Sequence, residues 1–197
     1  MPLSRENLID EALELSSIAG VVANACDHAE HNEPTHPAEI RGAGERLRAV
    51  AVRLAQESGA TATSLYRERL RAIELRNVLH HAGAFDGPAF VSETGSWRDL
   101  QLVQAEHDRN YHPDVVGLTK SDQVRHYALH LAKLAAATAD AARGLTPQDD
   151  FVARRVPDML LFGLKLATVT GEKLPNEAGA VVVDVEMVGL AYVARRL

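Results

Sequence analysis

From Ser4 onward apolar residues return every three or four positions, and Leu8, Ala12, Leu15, Ala19 and Val22 share one face. The spacing predicts a helix capped by Ser4 and reaching about Ala29. The polar stretch HNEPTHP interrupts the period, and Pro37 suits the first turn of a second helix, where its missing N–H costs nothing. That helix buries Ile40, Leu47, Val50 and Leu54, stops at Gly59, and should fold back on the first as an antiparallel hairpin. A third helix is expected to start between Thr61 and Thr63 and to carry Leu65, Leu70, Ile73 and Val78 inward as far as Gly83. Gly87, Pro88 and Gly95 then mark an irregular connection, so the loop 83–96 is the candidate subdomain boundary in a chain otherwise read as one helical domain over 1–197.

Ser96 followed by Asp99 has the form of a capping box, which opens a fourth helix from Trp97 to about Asn110, ended by His112-Pro113. Val124, Tyr127, Leu131, Leu134 and Ala135 keep helical period from a start at Thr119 to Ser121 until Ala142, with Gly144 as a stop. Thr146-Pro147 begins the next helix. Its internal Pro157 predicts a kink or a new start, its run Met159 to Ala167 should be the most buried segment of the chain, and Gly171 should end it. In the tail, Val181, Val185, Val188 and Tyr192 fall on one helical face although the β-branched content would also suit a strand; helix is the reading taken, for want of a partner strand. The fold class expected is all-α, a bundle of about six to seven helices.

Composition agrees, because the apolar residues (46%) are mostly Ala, Leu and Val while aromatics are only 5%. A formal charge of -6 and a pI near 5.8 give no overall field attractive to nucleic acid or to anionic lipid, so neither partner is expected. The single cysteine, Cys26, allows no intramolecular disulfide and no multi-cysteine zinc site, and is expected to be buried and inert. An N-terminus without a positive, then apolar, leader and the lack of any run near the roughly 18 apolar residues of a membrane span point to the cytoplasm.

Reactive side chains concentrate between Glu106 and Lys133. His126 and His130 are one turn apart on a predicted helix, so their imidazoles point the same way, as a chelating pair or as two structural histidines. Upstream, His107, Asp108, His112 and Asp114 gather at a helix end, where imidazoles and carboxylates could bind a divalent ion of unspecified identity and activate water. His107, His112, His126 and His130 are therefore the candidate metal ligands. The adjacent His107-Asp108 is similar to the pair of the HD phosphohydrolases, for which His80 or His81 and Asp140 would have to complete the set. Glu11 and Glu14 on the first helix read as a solvated face, and Arg67, Arg69, Arg71 and Arg76 with Glu68 and Glu74 as an ion-paired helix surface.

The stretch PDMLLFGLKLATVTGEKL, with HYALHLAKLAAATADAA before it, resembles the paired metal-binding helices of the MazG-type all-α nucleoside-triphosphate pyrophosphohydrolases over about 126–174. The resemblance implies that Asp158 matches the aspartate of the family's acid-x-x-Asp motif. It also puts His130 and Lys133 where the family carries two magnesium-binding glutamates, and Arg155 at the other acidic position. Magnesium prefers hard oxygen ligands, so these replacements would abolish such a site rather than retune it. Lys133, Arg154 and Arg155 would instead be placed to bind phosphate directly.

The expected function is accordingly that of a phosphate-ligand or nucleotide-related hydrolase or binding protein, metal-dependent if its histidines build a site, with Asp108, His130 and Asp158 as the catalytic candidates. The alternative is a non-catalytic helical interaction protein that forms a homodimer.

Overall fold

A computed structural model describes residues 2–33, 37–78 and 96–176 of the chain, and for 74–78 the backbone alone. The described residues are all-helical, with seven helices and no strand. They are α1 (Arg5–Glu30), α2 (Pro37–Ser58), α3 (Ala62–Val78), α4 (Trp97–Tyr111), α5 (Pro113–Val116), α6 (Lys120–Ala142) and α7 (Gln148–Val169). The expected tail helix, nearly all of the loop 83–96 and the end of the third helix at Gly83 lie outside the described residues.

The boundaries follow from local chemistry. Ser4, Ser96 and Thr119 each accept a backbone N–H from the residue three positions on, satisfying a donor that the first turn of α1, α4 and α6 leaves unpaired. At Ser96 both halves of the capping box are present. Gly59, Gly144 and Gly171 follow α2, α6 and α7 with φ of 84°, 72° and 72°, a left-handed turn that suits glycine.

Helix α7 is the centre of the molecule, touching α2, α3, α4 and α6, while α1 packs chiefly along α6. Every residue of α7 from Val156 to Ala167 is buried, which confirms the expected buried run and extends it by a turn. The helix does not restart at Pro157, against one of the two expectations. The carbonyl that Pro157 leaves without a donor belongs to Ala153, an exposed residue, so water can satisfy it. Against α2 the backbone of α7 comes close. A Cβ at Gly163 would lie 2.6 Å from Cγ of Arg48 and 3.1 Å from the carbonyl oxygen of Gly44, so glycine alone fits that crossing.

Glu11 and Glu14 are not a solvated face. Glu11 takes a bidentate pair from Arg53 (2.6 and 2.8 Å), and Glu14 one from Arg46 (2.7 and 2.9 Å), which fastens α1 to α2 in the antiparallel sense expected. Cys26 is buried as expected, and burial pushes its thiol pKa up. No helix among the described residues is long and apolar enough to cross a membrane.

Candidate functional site

The burial of α7 poses a chemical problem, because two of its buried residues, Asp158 and Lys165, carry charge and must find partners. Each finds one on a different helix. Arg69 of α3 donates two hydrogen bonds to Asp158, at 2.7 and 3.1 Å. Lys165 meets Asp108 of α4 at 2.8 Å, with both side chains less than a tenth exposed. Asp108 is held in turn by Nε2 of Gln104 (2.8 Å), whose Oε1 accepts from the Tyr66 hydroxyl (2.9 Å). Because the carboxylate can only accept, the Gln104 amide has one consistent orientation, with its NH2 group toward Asp108 and its oxygen toward the Tyr66 hydroxyl.

Between these ion pairs lies a cleft of about 420 Å³, lined by Arg69 and Ile73 of α3, His112 and Val115 around α5, His126 and His130 of α6, and the α7 face bearing Asp158, Leu161, Phe162 and Lys165. Asp158 and Lys165 stand seven positions apart on one helix, about 10 Å along its axis. Leu161 and Phe162 occupy the turn between them. The His130 imidazole lies face to face on the Phe162 ring, with centroids 4.5 Å apart and planes 24° from parallel. His126 is its neighbour, at 4.7 Å between ring centroids.

The imidazoles are biased toward the neutral form. Burial, then the positive fields of His126, Lys133, Lys165 and His112, bring the His130 pKa down to about 4. Burial followed by Lys165 lowers that of His112 and that of His126, with Asp108 and Asp114 opposing in both cases. His107 is wholly buried behind the cleft against Tyr111 and His112, and burial first, then His112 and Lys165, bring its pKa down to about 3.

Of the residues singled out from sequence, His112, His126, His130 and Asp158 converge on the cleft, and Asp108 stands behind it on Lys165. Lys133 is exposed and reaches the histidines only through its field. Arg154 is exposed beside Asp150, and Arg155 approaches Asp158 at 3.9 Å from outside. Of the cations that do line the cleft, Arg69 reads from sequence as part of an ion-paired surface of its own helix but turns inward onto Asp158 of α7, and Lys165 is not singled out. A signal existed for Lys165: a lysine inside the run Met159 to Ala167, itself expected to be buried, requires a buried acid.

A magnesium ion does not fit the donors present, since the Asp108 and Asp158 carboxylates hold cations of the protein's own and the other polar groups lining the cleft are imidazoles, a guanidinium and an ammonium. Among the described residues no group of three or more His, Cys, Asp or Glu side chains is arranged to hold a metal ion. Compared with family models, with curated proteins and with solved structures, the chain matches none.

Proposed function

We propose that the cleft binds a small phosphate-bearing ligand directly through protein N–H groups, without magnesium and without the hydrolysis magnesium would support. The observation that carries this reading is the pairing of Asp158, which lines the cleft, and of Asp108, which stands behind it, with the protein's own cations Arg69 and Lys165. What remains turned to a ligand is a set of donors: the Lys165 ammonium has hydrogens beyond the one given to Asp108, Arg69 has N–H groups beyond its fork on Asp158, and three imidazoles each offer a ring nitrogen. A phosphate accepts from such a set on several oxygens at once, and a partly dehydrated cleft strengthens each bond.

Titration calorimetry with inorganic phosphate and pyrophosphate, in EDTA and again with Mg²⁺, tests the reading. Heat above dilution at millimolar ligand is expected, unchanged by the metal and lost in the double variant Asp108→Asn/Lys165→Met, with no phosphate released from pyrophosphate. Absence of binding, or binding that requires Mg²⁺, would overturn it.

A further inference from the structure

The cleft is not uniform, and its layout says more about the ligand than the presence of cations does. Lys165 marks one end: its Nζ lies 5.3 Å from the centroid of the Phe162 ring on which His130 stacks, and the His126 ring centroid is 4.7 Å from that of His130. The Lys165 charge acts on His112, His126 and His130 alike. Arg69 with Asp158 marks the other, about two helical turns away along α7. At that end a carboxylate lines the cleft itself, whereas Asp108 stands behind Lys165. The Arg69–Asp158 fork, with Arg155 3.9 Å from the carboxylate, offers both donors and acceptors, which suits a neutral polar group, and an anion there would compete with Asp158. The rest of the lining is largely apolar, formed by Leu161, Ile73, Val115 and Phe162 with the His130 imidazole stacked on it, and Leu161 and Phe162 lie in the turn between Asp158 and Lys165.

A volume of about 420 Å³ is toward the small end of ligand pockets, which run roughly 300–1,000 Å³. It accommodates one ring with short substituents. Aromatic faces favour offset-stacked planar partners, and the stacked Phe162 and His130 rings both line the cleft.

Resting on the phosphate-binding reading above, we propose that the ligand is a phosphomonoester of a planar ring. Its phosphate sits at the Lys165 end among the three histidines and its ring against the Phe162–His130 stack. A neutral hydrogen-bonding substituent on the far side of the ring meets Arg69 and Asp158.

Calorimetry in EDTA with four probes tests this: inorganic phosphate, phenyl phosphate, 4-carbamoylphenyl phosphate and octyl phosphate. Phenyl phosphate should bind at least tenfold more tightly than inorganic phosphate, and the carbamoyl compound a further severalfold more tightly. Phe162→Leu keeps apolar bulk and removes the ring. It should bring the phenyl gain, taken as the ratio of the two affinities in that variant, below threefold, and thermal unfolding reports that the variant is folded. The proposal falls if phenyl and inorganic phosphate bind within twofold of each other, if Phe162→Leu leaves the gain intact, or if octyl phosphate binds as well as phenyl phosphate. In each of those cases inorganic phosphate still binds, and the broader reading stands. If no probe binds, both fall together.

Discussion

Lys165 and Asp108 meet at 2.8 Å with side chains 7% and 9% exposed, which makes this the contact where the stability of the bundle and the chemistry of its cleft depend on the same atoms. Removing one charge of such a pair strands the other. Asp108→Asn should cost about 3–5 kcal/mol, because the Lys165 ammonium stays buried without its anion. The double variant Asp108→Asn/Lys165→Met should recover more than half of that loss, since a neutral pair of similar volume has no desolvated charge and the introduced amide oxygen would still accept from Gln104. Urea denaturation of wild type, both single variants and the double variant closes the cycle. A double variant less stable than Asp108→Asn alone would show that the pair is not the source of the loss.

The α2–α7 crossing predicts opposite outcomes for the same substitution at two glycines. Gly163→Ala puts a Cβ 2.6 Å from Cγ of Arg48 and against the carbonyl of Gly44, and should destabilise by about 1–3 kcal/mol despite alanine's helix preference. Gly42→Ala, on α2, meets nothing within 4 Å and should stabilise by roughly 0.5–1 kcal/mol. Thermal unfolding of the two variants would contradict the crossing geometry if their melting temperatures moved in the same direction.

At α4 the N-terminus is held by the reciprocal side chains of Ser96 and Asp99. The Ser96 hydroxyl accepts from the Asp99 N–H (3.1 Å) and donates to the Asp99 carboxylate (2.8 Å), and Asp99 also accepts from the Ser96 N–H (3.0 Å). Ser96→Ala should cost about 1 kcal/mol, read by urea denaturation, and Ser96→Gly only a few tenths. Equal losses in the two variants would mean that backbone geometry, not the hydroxyl, starts the helix.

Helix positions were legible because caps and stops are local: Ser4, Ser96, Gly59 and Gly144 need only their own neighbours to act, and each stands where its helix begins or ends. The cleft was legible in part. His126 and His130 share a face through helical period alone, and Asp158 was reached through the family resemblance. The partners were not, because Arg69 and Asp158 are 89 residues apart and their pairing depends on how α3 lies across α7. Arg69 sits among several arginines of one helix, and only packing decides which turns inward. The same limit explains Glu11 and Glu14, whose spacing reads as surface until Arg53 and Arg46 of α2 come alongside.

The buried histidines make stability depend on pH in a defined window. An ordinary imidazole near 6.5 is brought down to about 3 at His107. The unfolded chain therefore binds a proton that the folded one refuses throughout the interval between those values. Stability is fully present above the unfolded pKa and falls with pH until the folded pKa is reached, the opposite of a histidine stabilised in its charged form. At pH 5 the wholly buried His107 alone should account for a loss of about 2 kcal/mol relative to pH 7, with His130, brought down to about 4, adding in the same direction. Working between pH 7 and 5 keeps clear of the ordinary carboxylate range, where loss of the Asp108 and Asp158 pairs would add a separate acid effect. His107→Gln removes the titrating group at the most buried position. The drop in urea midpoint from pH 7 to pH 5 should shrink in that variant by the equivalent of about 2 kcal/mol, and an unchanged drop would place the proton-linked loss elsewhere.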